Sequence, residues 1–184
     1  MVQLLKHSIL FISIISLSCC SKPLQERMTV GDYASIQFPK GWYAYDSEYG
    51  MLGITPVGGH PDKDYSEKPW FYLGYNWFYL LERYASNMDD ISVLKRHVGN
   101  DLGVPFIDEP QAVNIKGRRW VMGPARSSIG DISGTMEGRF YLTNYEGRWV
   151  LVITMAPPDI WHDYIKTFQK MLESIVFEGT PQPK

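Results

Sequence analysis

The residues able to do chemistry are few and scattered. The cysteines are Cys19 and Cys20, adjacent at the end of an apolar run. Neighbours so close make a poor structural crosslink, and no later cysteine can complete a disulfide or a thiolate metal site. Their position is the informative feature. His60, Asp62 and Asp64 lie in the polar stretch from Val57 to Pro69 and could in principle hold a cation, although neither a calcium-loop nor a zinc spacing is complete. Gly130-Asp131-Ile132-Ser133-Gly134 puts a serine near glycines, but it is not the nucleophile-elbow spacing and it separates two strand-like runs, so it reads as a turn. His97 and His162 fall on the polar faces of expected helices. Asp89-Asp90 falls at a helix start, where the helix dipole accounts for both carboxylates. The sequence contains no His-Glu-x-x-His pair and no phosphate-cradling glycine loop. It calls for no cofactor and reads as non-enzymatic.

Lys6 and His7 precede Ser8 to Leu17, an apolar stretch of about ten residues, whereas a helix that spans a bilayer needs about twenty. Residues 1–19 therefore read as a signal peptide. Leu17-Ser18-Cys19-Cys20-Ser21 resembles the lipobox of bacterial lipoproteins, in which a small residue precedes a cysteine that is diacylated before cleavage. That resemblance implies export and a lipid anchor in a membrane of the cell envelope. Cys20, with Leu17 three places before it, is the expected attachment site; Cys19, preceded by Ser18, is the alternative. Ser21 is not the aspartate that retains some lipoproteins in an inner membrane, so a Gram-negative host would carry the protein to the periplasmic side of the outer membrane. Residues 20–29 are expected to form a tether. Ser21 to Met28 is polar and without periodicity, and it could reach roughly 25–30 Å when extended.

Charge is close to balance, with 18 basic and 20 acidic residues and no basic block. That argues against nucleic acid as a partner. The length suggests one domain, over residues 30–178, followed by a short tail at 179–184.

The elements that must position any site can be read in order. Tyr33 to Phe38 alternates as a strand, and Pro39-Lys40-Gly41 predicts a hairpin into Trp42 to Tyr45. Met51 to Pro56 predicts a third strand, and Val57 to Pro69 a long loop. Trp70 to Leu81 is dense in aromatic residues at both alternate positions, which predicts a strand. Burial is the ordinary fate of such residues. Trp70, Tyr72, Tyr75 and Trp77 are also the strongest candidates in the sequence for a partner surface. Ser86 or Asn87 can cap a helix carrying the stripe Met88, Ile91, Leu94, Val98 and Leu102, with Gly103 as its stop.

Four strand-like segments follow, from Ala112 to Ile115, Arg118 to Ala125, Thr135 to Thr143 and Arg148 to Met155, at the spacing of an antiparallel meander. The last is apolar at every position from Val150 to Ile153, as a central strand covered on both faces would be. Pro157-Pro158-Asp159 predicts the start of an amphipathic helix with Trp161 and Phe168 on its buried stripe. The pattern is α+β, with a mainly antiparallel sheet covered by helices.

Phe38-Pro39-Lys40-Gly41-Trp42, Gly117-Arg118-Arg119, and the run from Tyr145-Glu146-Gly147-Arg148-Trp149 to Leu172-Glu173-Ser174-Ile175-Val176-Phe177 resemble the PsbP-like superfamily. That group includes an extrinsic protein of photosystem II, a Ran-binding nuclear import factor and many bacterial lipoproteins. The resemblance implies an α/β/α sandwich that serves as an accessory or protein-interaction module, and it carries no shared catalytic motif. The sequence thus describes an envelope protein bound to the membrane through its lipid and docking on a protein partner. The alternative is a module that binds a small ligand or metal through the 57–69 loop.

Overall fold

Strand β9 (Arg148–Ala156) lies inside the sheet because neither of its faces tolerates water. Val150, Val152 and Ala156 enter one hydrophobic cluster with Phe71, Trp120, Tyr141 and Phe168, while Leu151, Ile153 and Met155 enter another with Trp70, Val93, Leu94 and Val98. A strand in that situation needs a partner on each edge, and β9 pairs with β5 (Trp70–Tyr75) and β8 (Met136–Tyr145). The computed structural model describes residues 22–31, 33–46, 51–58, 68–75, 88–127 and 135–178. Among these, the remaining strands are β1 (Leu24–Val30), β2 (Ala34–Pro39), β3 (Tyr43–Asp46), β4 (Met51–Thr55), β6 (Gln111–Ile115), β7 (Arg118–Ser127) and β10 (Val176–Phe177). They form a seven-stranded antiparallel sheet, β3-β4-β5-β9-β8-β7-β6, and a three-stranded one, β1-β2-β10.

Helix α1 (Asp90–Leu94) runs on as a π-helix (Lys95–Asp101), and together they cover one face of the large sheet. Helix α2 (Trp161–Glu173) and the small sheet cover the other. The architecture is α+β with helices on opposite faces of an antiparallel sheet, as the patterning predicts. The meander turns are equally legible. Lys116-Gly117 and Glu146-Gly147 all have positive φ, between 50° and 81°, the geometry of tight hairpin turns. Asn114 and Asn144 each accept a hydrogen bond from the turn glycine's N–H, at 3.0 Å.

Four expectations are corrected. The tether is a strand: Leu24, Glu26, Met28 and Val30 alternate inward, and β1 pairs with β2. Glu26 hides the period by placing a carboxylate in an apolar series, and that carboxylate accepts from the Gly41 N–H at 3.2 Å. The domain therefore starts ahead of residue 30. The expected hairpin over Pro39-Lys40-Gly41 is a crossing between sheets, because β2 spends its two edges on β1 and β10 while β3 pairs with β4. The first helix is capped by Asp89, whose carboxylate accepts from Ser92 N–H and Oγ, whereas the expected caps Ser86 and Asn87 lie outside the described residues. The second helix begins at Trp161, after Pro157 to Ile160 have closed a turn.

Candidate functional site

Two of the four aromatic candidates, Trp70 and Tyr72, do not form a surface. Trp70 and Tyr72 are buried at 1% and 6% exposure, stacked with ring centroids 5.5 Å apart beneath α1. Phe71 and Leu73 point to the opposite cluster, so alternation explains why both faces of this strand are apolar. Tyr75 ends β5, and Trp77 lies outside the described residues. Cys19, Cys20, His60, Asp62, Asp64 and Ser133 also lie outside them.

His97 is the other displaced candidate. It is buried, not on a polar face, because the wider π-helical turn brings His97 and Val98 together onto the sheet. The Leu102 N–H reaches back to the His97 carbonyl at 3.0 Å, the five-residue step of that turn. Burial holds the imidazole below its ordinary pKa, opposed by Asp101, whose Oδ2 lies 3.3 Å from Nδ1. His162 is exposed as expected. Asp90 is engaged by Arg119 through two hydrogen bonds of 2.7 and 3.1 Å, which lower its pKa and fasten α1 to β7. His97 therefore has a packing role and Asp90 a fastening one.

Two features of the surface remain. The first is a groove of about 390 Å³ where α2 stops short of covering β6, β7 and β8. Val113, Ile115, Met122 and Leu172 form its apolar floor, and Lys116, Arg139, Gln169 and Glu173 line it with polar groups. Its wall includes β6, which among the described residues ends the sheet and has one edge of its backbone unpaired by another strand. Tyr141 closes the floor; burial raises its pKa, with Arg139 opposing, so the phenol stays protonated at neutral pH. Sequence reasoning missed this groove because its residues come from three strands and a helix far apart in the chain.

The second feature is the start of the domain. The Lys22 backbone N–H donates to Thr167 Oγ1 at 3.3 Å, and Lys22 Nζ stands 5.9 Å from the centroid of the Trp42 ring. The chain is thus fastened to α2 from residue 22 onward. Beside Trp42, Tyr43 is half exposed and its ring lies over Gly58, next to the exposed Val57.

No family model matches the chain, and no curated protein matches its sequence. Solved structures do match in shape. Cyanobacterial PsbP (CyanoP) from Synechocystis sp. PCC 6803 superposes with a TM-score of 0.54 at 13% identity, over 83% of this chain and 91% of that one. The fold is PsbP-like. PA94, a protein of unknown function from Pseudomonas aeruginosa, matches with a TM-score of 0.51 at 10% identity, over 86% of this chain and 98% of its own. A protein from Bacteroides thetaiotaomicron matches with a TM-score of 0.51 at 11% identity, over 85% of this chain and 50% of its own. Identities this low carry the PsbP-like fold and nothing about activity. Among the described residues, no helix is long and apolar enough to cross a membrane, and no group of three or more His, Cys, Asp or Glu could hold a metal ion.

Proposed function

We propose that the chain is a lipid-anchored, non-enzymatic accessory module of the cell envelope that docks on another protein. The anchor rests on the order of charge, apolar run and cysteine at residues 6–20, and the docking role on the groove. That groove carries the reading because it joins an unpaired strand edge to an apolar floor. An extended segment of a partner could add to β6 through its backbone and set alternate side chains against Val113 and Ile115. Lys116 and Arg139 opposite Glu173 would fix its direction by charge.

A second reading is favoured by size. A volume of about 390 Å³ falls within the range of small-ligand sites, about 300–1,000 Å³. The two are separated by one pair of experiments on the acylated protein. A photo-crosslinker at Gln169 should trap a discrete protein in the native envelope, and Glu173→Lys should abolish the adduct. A crosslinker at the exposed His162 should trap none. Crosslinking that is equal at both positions and unaffected by Glu173→Lys would sink the docking reading. A reproducible thermal shift with a small metabolite, lost in Arg139→Ala, would establish the alternative; a ligand at 100 times its Kd adds about 2.7 kcal/mol.

A further inference from the structure

Lys22 is two residues after Cys20 and three after Cys19. Fully extended, those steps span at most about 7 Å and about 11 Å. A headgroup layer is itself roughly 5–8 Å deep, by the difference between the hydrocarbon core and the whole bilayer. A domain fastened at Lys22 has no slack with which to stand away from its lipid or to turn over. The end of the molecule that carries Lys22 must then face the bilayer.

That end has the surface such a position requires. Tyr43 and Val57 are 50% and 44% exposed, among the few large apolar side chains left in water among the described residues. They lie together, because Tyr43 opposes Thr55 across β3 and β4 and its ring rests over Gly58. Lys22 stands over the ring of Trp42, the neighbour of Tyr43 in the chain, the exposed Lys40 lies in the turn just before it, and Lys68 Nζ donates to the Gly58 carbonyl at 3.4 Å. Glu26 is the acidic neighbour on this turn, and its carboxylate accepts from the Gly41 N–H. An amphipathic aromatic ring and an aliphatic side chain between lysines suit the boundary between phosphate and hydrocarbon.

We propose that the end formed by Lys22, Lys40, Tyr43 and Val57 is a bilayer-contact face, seated on the phospholipid headgroups of the membrane that holds the lipid anchor. The inference rests on the anchoring reading above. Its geometry also fixes what faces away. Strand register puts the Lys116-Gly117 and Glu146-Gly147 turns at the opposite end of the large sheet, about 30 Å distant by the length of β9. The groove, lined by Lys116, lies toward that end and stays open to a partner.

The test uses the full acylated protein, its lipid verified by mass, with any unacylated cysteine replaced by serine. An environment-sensitive fluorophore is attached to Tyr43→Cys, Val57→Cys, Lys116→Cys or Glu146→Cys in vesicles of phosphatidylglycerol and phosphatidylcholine containing a headgroup nitroxide. All four are exposed turn or edge positions. Quenching at 43 and 57 should exceed that at 116 and 146 by at least threefold. Equal quenching at the four positions, or the reverse order, overturns the orientation while leaving the anchor standing. A mature protein whose mass contains no lipid removes the anchor and the orientation together.

Discussion

On the α2 face of the large sheet, Phe168 meets Trp42, Phe71, Trp161 and Tyr164 at centroid separations of 5.9–6.3 Å, and a regular helix supplies the whole stripe. On the α1 face the helix changes from α to π, a histidine enters the core, and the sheet gives room through glycine. Gly123 is overlain by the Phe106 ring and Gly53 by that of Tyr72, so neither position has space for a Cβ without movement. One face is held by aromatic bulk on a fixed period. The other gives room through glycine, to the loop after the irregular helix at Gly123 and to the cross-strand Tyr72 ring at Gly53. The difference places stability on the α2 side, pH sensitivity on the α1 side, and leaves the groove at the margin where α2 no longer reaches.

Phe168→Ala should be the most damaging of the changes considered, at about 4 kcal/mol in denaturant unfolding, since it opens a cavity among four aromatic rings. The matching deletion on the other face, Leu94→Ala, should cost about 3 kcal/mol. A larger loss there would break the assignment of stability to the α2 side.

Gly123→Ala should cost about 2 kcal/mol, because the Phe106 ring must leave its edge contact with Phe140, 6.4 Å away, to admit a methyl group. Gly53→Ala should cost less, since the Tyr72 ring stands 3.2 Å from the new Cβ and needs to yield only slightly. Equal costs at the two glycines would show that the α1 side relaxes more freely than its packing implies.

The pH dependence is a subtler mark of the same face. Because burial lowers the pKa of His97 in the folded chain, the unfolded chain binds the proton more readily below its ordinary pKa of 6.5. Stability should therefore be full above that value and should fall as the pH drops from 7 to 5. Asp89 and Asp90 have lowered pKa values, so their contribution is lost only below the usual carboxylate range and does not enter that window. Thermal midpoints of wild type and His97→Gln should converge toward pH 5. Parallel curves would remove His97 as the cause. Smallest of all, Gln169→Ala in the groove should change stability by no more than about 0.5 kcal/mol, because its side chain is exposed and its bond among the described residues is to Glu173 one turn on.

The same division explains what could be read from the residues alone. The meander, β9 and α2 were legible because their periods are unbroken and their turns carry glycine. The π turn was not, because a stripe of Met88, Ile91, Leu94, Val98 and Leu102 fits an α-helix equally well and puts His97 outside. Strand β1 was obscured by Glu26, and with it the consequence that the domain has almost no tether. The aromatic run was read correctly as a two-faced strand over Trp70 to Leu73, and burial removed Trp70 and Tyr72 as a partner surface. The groove depends on where α2 ends relative to β6, a tertiary relation with no local signal.

The central claim is that the domain is held at the membrane by an acylated cysteine a few residues before its first strand. Replacing Cys19 and Cys20 together by serine and fractionating the host's envelope tests it most directly. The folded protein should move from the membrane to the soluble fraction, and the wild-type N-terminal peptide should carry the mass of its lipid on Cys20 or, failing that, Cys19. A double variant that remains membrane-bound would contradict the anchor and detach the fold from the role proposed for it.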